Sequence, residues 1–459
     1  MNKLYLLVLV LLTSCAGPSY YHSQQPMLDK FYQGKYEEAI SLLDKTTSLS
    51  KPYNENLRDI EKGRILFLMK KYEEAAKQLI LAETRQEDWS TIHYTDINGY
   101  STYLQDKRFT KDRSPLPPPP ANHEEMMDQG ANGVRGSYGQ VTNFTFKSPM
   151  KTNYVCYDFE RPLINFYVGL CGAMLKDDKP LIEAKRLQLL MDQLDLRKFP
   201  IHPGNINYST NPFIPMVIGT FYEYMGEPSN ALISYKKAFE AYESKYCFLN
   251  YGVRTPSYLL NDIFYLTQKL GFNDQLEQLE KKYPKTKNTK SSKEDFLFLF
   301  VEEGYVPVKE KVLGFYTHGN LPQSTPQNIP GEIMGTYVSS VQPIQSSYNL
   351  ALFVGDQLWE GALISNPQYI MLEPMNKRFL HESGFLINEL GNANKSSTKN
   401  PNTRSWQTLP GRIHCFKIPI DNSKKNLKVT YTDRFGASKS LEVEQPLERG
   451  LAIKYMYLE

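Results

Sequence analysis

Cysteine and histidine are the side chains best suited to nucleophilic or metal chemistry, and this 459-residue chain carries five of the first and seven of the second. One of them sits in a setting that points to a reaction. Cys15 follows Met1-Asn2-Lys3, an apolar run from Leu4 to Leu12, and the small residues Thr13 and Ser14. A cationic start, a short apolar stretch and small residues at its end are the three parts of a secretory signal. The run is about half the roughly 20 residues that a permanent membrane helix needs. Cys15 thus places a thiol nucleophile directly after the signal.

The other candidates converge on nothing. Cys156, Cys171, Cys247 and Cys415 make no CxxC pair and no His/Cys cluster with metal-ligand spacing, so they are expected as buried apolar groups rather than a bridge. His22, His93, His123, His202, His318, His381 and His414 are scattered; His123, before Glu124 and Glu125, reads as part of a solvated loop. Asp158 and Glu160 precede Arg161 at an expected helix start, where they would cap the helix and complement its dipole; a catalytic pair is the rarer alternative. G-x-S-x-G, phosphate-binding glycine loops and H-E-x-x-H do not occur. The expectation is therefore no catalytic residue, no metal and no cofactor, and a protein that is not an enzyme.

Leu12-Thr13-Ser14-Cys15 resembles the lipobox of bacterial lipoproteins. That resemblance implies removal of residues 1–14 and lipidation of Cys15, with fatty acyl chains such as palmitate. The plainer alternative is a signal cut nearby that leaves a free thiol. Each buried methylene contributes about 0.8 kcal/mol, so two or more chains anchor stably where one does not. Ala16 rather than Asp after the cysteine matches the outer-membrane sorting pattern of enteric lipoproteins, with the body facing the periplasm. Lys and Arg number 53 against 50 Asp and Glu and are spread along the chain, which argues against a nucleic-acid partner and a polybasic membrane patch.

The elements that would carry such a body are mostly helical. Residues 15–26 read as a lipidated tether, followed over 27–106 by repeats. Tyr36-Glu37-Glu38-Ala39 and Tyr72-Glu73-Glu74-Ala75 are the same block 36 residues apart, close to the tetratricopeptide period of about 34. In each copy a first helix ends at a small or flexible position, Gly34 or Lys70. A second helix then opens with glutamates where its dipole favours them. Further pairs are expected at Arg161 to Leu194, with Gly172 near the first helix end, and at Phe213 to Tyr242, turning at Gly226 and Pro228. Tyr258 to Leu270 and Asn273 to Tyr283 make the last pair, around Gly271. A Pro/Gly-rich stretch, Ser114 to Pro120 and on to Gly136, marks 107–150 as a linker or loop between the repeats and the helices of 151–290.

From 291 to 459 the pattern becomes β-rich. Phe296-Leu297-Phe298-Leu299-Phe300-Val301 reads as a buried strand, with others at Val306 to Val308, Asn349 to Val354, Pro367 to Leu372 and Arg412 to Ile418. Leu427 to Tyr431 and Leu441 to Val443 flank a terminal hairpin. The expected fold class is mainly α, a tetratricopeptide-like α-solenoid followed by a smaller β-rich domain packed on its end.

Four blocks carry a wider resemblance: Tyr157 to Tyr167 with Glu183 to Arg186, Gly226 to Leu232, Val301 to Lys309, and Arg404 to Pro410. They resemble a family of bacterial tetratricopeptide lipoproteins for which no activity or catalytic residue is established. Its members are often encoded near small lipoproteins resembling activators of penicillin-binding proteins. Pro162 stands where that pattern is usually aliphatic, at a first turn that tolerates proline. The resemblance implies a cell-envelope scaffold, bound to membrane lipid through Cys15 and to an envelope protein through its helical groove, with exposed tyrosines supplying contact area. The alternatives are a regulator of peptidoglycan synthesis, or an enzyme or small-ligand binder with a cleft between the helical and β parts.

Overall fold

A computed structural model describes residues 20–88, 91–95, 101–105, 154, 156–157, 159–196, 210–245, 247–284, 296–314, 333–339, 350–354, 357–370, 404–419, 426–432, 438–444 and 451–458. Residues 1–14, Cys15, the 107–150 linker, Asp158 and His123 lie outside them.

Helices come in pairs. The first is α1 (Tyr20–Tyr32) with α2 (Tyr36–Lys45), then α3 (Glu55–Leu68) with α4 (Tyr72–Asp88). Next are α5 (Arg161–Leu175) with α6 (Lys179–Leu196), and α7 (Phe213–Tyr224) with α8 (Pro228–Tyr242). After the short α9 (Cys247–Tyr251) comes α10 (Leu259–Lys269) with α11 (Asn273–Lys282). The turn inside each pair repeats one device. A single residue takes the left-handed conformation: Gly34, Lys70, Lys176, Gly226 and Gly271, with φ between 58° and 77°. The amide after it donates to the carbonyl five residues back, as in Lys35 to Lys30 (2.9 Å), Lys71 to Leu66 (3.0 Å) and Glu227 to Tyr222 (2.8 Å). These bonds satisfy carbonyls that the helix end would leave bare. Gly172 lies near the end of α5, as expected, and permits a close approach: a Cβ there would stand 2.4 Å from Cβ of Lys179.

Pairing buries the small residues. Ala39, Ala75, Ala231 and Ala238 have no exposed surface. Two boundaries differ from expectation. Helix α1 starts at Tyr20, inside the stretch read as tether, because Tyr20, Gln24, Met27, Leu28 and Phe31 bury one face and Gln24 donates to Ser48 (2.9 Å). Local polarity had masked a tertiary contact. At the other end of the first repeats, β1 (Thr91–Thr95) and β2 (Ser101–Gln105) form an antiparallel hairpin where only helical repeats were expected.

The C-terminal part is a smaller β portion. Strands β3 (Phe296–Glu303), β6 (Leu350–Val354), β7 (Gln357–Ser365), β8 (Arg412–Pro419), β9 (Asn426–Thr432), β10 (Ser438–Glu444) and β11 (Ala452–Leu458) form one sheet, ordered β10-β9-β6-β7-β8-β3-β11. β4 (Val308–Gly314) and β5 (Ile333–Ser339) pair separately. All neighbours in the large sheet are antiparallel except β3 and β11, which run parallel. Strand β3 is buried on both faces, the physical reason its sequence is apolar without alternation. The Leu427/Val443 hairpin forms in register, but β11 follows it, so it is not terminal. The 367–372 stretch opens with a helical turn rather than a strand. Asn366 accepts the Tyr369 amide (3.1 Å) and Pro367 occupies the first helical position, a capping arrangement.

The sheet does not sit on the end of the helical array. It lies along the first helix of pair after pair. Phe31 and Tyr32 of α1 meet Tyr305 beyond β3, at 6.0 and 4.2 Å between ring centroids. Phe166 of α5 meets Phe300 at 5.2 Å, and Lys417 of β8 reaches Glu223 of α7 and Asp262 of α10. One continuous apolar core runs from Tyr20 through the helices to Ile453, so the helical and β portions fold around a common interior. The second helices α4, α6 and α8 face outward, carrying Leu81, Ile182, Leu189 and Ile233 to the surface.

Candidate functional site

Charged side chains concentrate where the first helices meet the sheet. Alternation along β3 sends Phe298, Phe300 and Glu302 toward the helices and Leu299, Val301 and Glu303 to the opposite face. Glu302 meets Arg64 of α3, and neither side chain has any solvent exposure. Tyr167 of α5 donates to one oxygen of Glu302 (2.6 Å) and Tyr455 of β11 to the other (2.7 Å). The guanidinium lies over the Tyr167 ring, 4.6 Å from its centroid. Burial pulls the arginine pKa down, but the Glu302 carboxylate together with Tyr167 and Tyr455 outweighs it and the net shift is upward. For Glu302, burial outweighs the arginine and its pKa is raised.

A second group joins α3, α5 and the loop before β8. Glu61 accepts the backbone amides of Gln407 (2.7 Å) and Thr408 (3.1 Å), and the Thr408 hydroxyl at 2.6 Å. Glu160 accepts the preceding amide, that of Trp406, at 2.9 Å, together with the Tyr154 hydroxyl at 2.6 Å. Two buried carboxylates thus hold three consecutive amides. Arg404 donates to the side chain of Asn54 at 2.7 Å beside them. Burial raises the Glu61 carboxyl to about 7, against these hydrogen bonds, which lower it. Glu160 makes no side-chain cap to its own helix, contrary to expectation, because the Trp406 loop takes that carboxylate.

The third group is Lys417, within 3.3 Å of Glu223 and 2.7 Å of Asp262, with the Tyr235 hydroxyl donating to Glu223 at 2.7 Å. Burial raises Asp262 to about 7 although Lys417 opposes it. On the far face of the sheet Glu303 receives Arg412 (3.3 Å) and His414 (3.2 Å). Burial would raise its pKa, but His414 and Arg412 bring it below the usual carboxylate value.

Apart from Arg404, which donates to neutral Asn54, these groups match buried cations to carboxylates and carboxylates to donors, which is what charge buried in a low-dielectric interior requires. The chemistry available to them is cohesion of helices and sheet. Cys156, Cys171, Cys247 and Cys415 are free and buried, as expected. Burial pushes the thiols of Cys171, Cys247 and Cys415 up to about 12, so they are protonated and poor nucleophiles. Among the described residues no group of three His, Cys, Asp or Glu side chains could hold a metal, and no helix is long and apolar enough to cross a membrane.

Three of the blocks singled out in the sequence, around Glu160, Glu302 and Trp406, meet at this seam. Arg64, Glu61 and Lys417 escaped notice. The available signal was a charge set against apolar residues: Arg64 directly before Ile65-Leu66-Phe67-Leu68, and Lys417 between Phe416 and Ile418. The tyrosines expected on a partner surface are in good part interior, with Tyr20, Tyr154, Tyr167, Tyr235, Tyr242 and Tyr251 all buried. The chain matches no protein-family model and no curated protein.

Proposed function

We propose that the protein is a lipid-anchored scaffold of the bacterial cell envelope, built on tetratricopeptide-like helix pairs, that binds an envelope protein. The observation that carries the scaffold reading is the seam itself: the charged groups brought together at the helix–sheet junction are engaged with one another and stiffen the body. The repeated left-handed turn at Gly34, Lys70, Lys176, Gly226 and Gly271 supports the repeat reading. The Cys15 pattern, with the apolar run before it, supports the anchor.

The first helices face the chain's own sheet, so the partner surface belongs on the second helices. Leu189 and Ile233 are 61% and 55% exposed there and offer apolar contact area. Cross-linking on intact envelopes, with a photoreactive residue at Leu189, tests this. One envelope protein recovered repeatedly, and lost in Leu189→Glu with folding intact, is the expected result. A peptidoglycan synthase as that protein would make the chain a regulator of wall synthesis; no cross-linked protein at all overturns the scaffold reading. For the anchor, Cys15→Ala is expected to abolish incorporation of labelled palmitate and membrane fractionation.

A further inference from the structure

Five residue steps separate Cys15 from Tyr20, where α1 is already packed into the body. A fully extended chain covers at most about 3.6 Å per residue, so Tyr20 stands within roughly 18 Å of the cysteine. A lipidated cysteine sits at the boundary of the hydrocarbon, and the headgroup layer above it is about 5–8 Å thick. About 10–13 Å then remains, one helix diameter.

We infer that the body rests on the membrane through the edge at the start of α1, with the phospholipid headgroup layer as its partner, a reading that depends on Cys15 being the anchor. The edge is defined by contacts. Ser23 bonds Ser48 (3.2 Å), Gln24 donates to Ser48 (2.9 Å), and Asn54 donates to the Ser48 carbonyl (2.7 Å). These hold the 46–54 segment beside the first turn of α1. His22, Thr47, Ser50, Lys51 and Pro52 are its exposed side chains, polar or compact groups suited to a hydrated headgroup surface. Tyr20 is buried and cannot unwind to lengthen the tether without opening the core.

The opposite edge carries the turns within the helix pairs. Helix α1 has 13 residues, and at 1.5 Å per residue this places those turns about 20 Å further out when the helices stand upright. When the array instead stands on its first pair, the last pair is several helix spacings of about 8–10 Å away. In both postures Asp274, at the start of α11, is remote from the headgroups while Lys51 is close.

The test uses the full acylated protein in phosphatidylethanolamine/phosphatidylglycerol vesicles containing a headgroup-nitroxide lipid. A maleimide fluorophore is placed at Lys51→Cys or Asp274→Cys; the four native thiols beyond Cys15 are buried and do not compete. Quenching several-fold stronger at position 51 than at 274 is expected, and a ten-residue Gly-Ser insertion after Ala16 should erase that contrast while acylation persists. Equal or reversed quenching in protein whose N-terminal peptide carries the lipid mass overturns the orientation alone. A peptide without lipid overturns the anchor and the orientation with it.

Discussion

Arg64 of α3 and Glu302 of β3 are 238 residues apart in sequence and form a fully buried ion pair. The pair spans the junction between helices and sheet, so its loss is felt by both. Removing one partner strands a charge in the interior, which costs about 3–5 kcal/mol, whereas replacing both with apolar residues of similar volume is often neutral. Glu302→Gln keeps the shape but turns one acceptor oxygen into an NH2 donor facing Tyr167 or Tyr455, and it leaves Arg64 uncompensated. It is expected to lower stability by about 3 kcal/mol in urea unfolding. Arg64→Met with Glu302→Leu should recover at least half of that loss, and a double variant as unstable as the sum of its singles would show that the pair is not coupled.

The within-pair turns offer a backbone test free of packing. Nothing lies within 4 Å of a Cβ built on Gly226, whose φ is +77°. Gly226→Ala therefore reports the cost of the left-handed conformation alone, about 1 kcal/mol or somewhat more. Lys70 occupies the same conformation with a φ of 61° and already bears that strain. Lys70→Gly should raise stability by about 0.5–1 kcal/mol, and thermal unfolding of the two variants would move in opposite directions.

The same turns show how much of the fold was legible. Gly34, Gly226 and Gly271 announced their turns by residue type, and Lys70 by its place in a repeated block. Lys176 carried no such mark, because a lysine in the left-handed conformation looks like any helical lysine in sequence. Strand β3 was legible from its unbroken apolar run, while its partner β11, 155 residues later at Ala452↔Leu297 and beyond, was not. Parallel pairing at that range leaves no local signature. The seam was least legible of all. Glu61 reads as an ordinary helical glutamate and Glu160 as a helix-start cap, since their partners are backbone amides of residues 406–408, which have no side-chain code.

Glu61 also gives the protein a pH dependence. Its folded pKa, about 7, lies above the ordinary 4.5 because the carboxylate is buried. Below pH 4.5 the group is protonated in both states. Between 4.5 and 7 the folded state keeps a proton that the unfolded state releases, so stability falls as pH rises through that window. The span corresponds to roughly 3 kcal/mol at 1.36 kcal/mol per pKa unit. Glu61→Gln should flatten the decline between pH 5 and 7.5 in urea titrations. A variant with the wild-type slope would assign the decline to other buried acids, such as Asp262.

Gly219 of α7 links packing to the Lys417 group. A Cβ at this position would stand 2.4 Å from the ring of Tyr235, which is fully buried on α8. The ring is held from the other end, because its hydroxyl donates to Glu223, one of the two carboxylates around Lys417. Gly219→Ala must therefore either spread α7 from α8 or tilt the ring and break that bond. Overpacking typically costs about 1–3 kcal/mol. Tyr235→Phe removes only the hydroxyl and leaves the ring where the glycine needs it. If the alanine acts by displacing the hydroxyl, adding Tyr235→Phe to Gly219→Ala should cost clearly less than Tyr235→Phe does in the wild-type background. If it acts by spreading the helices, the two losses should add.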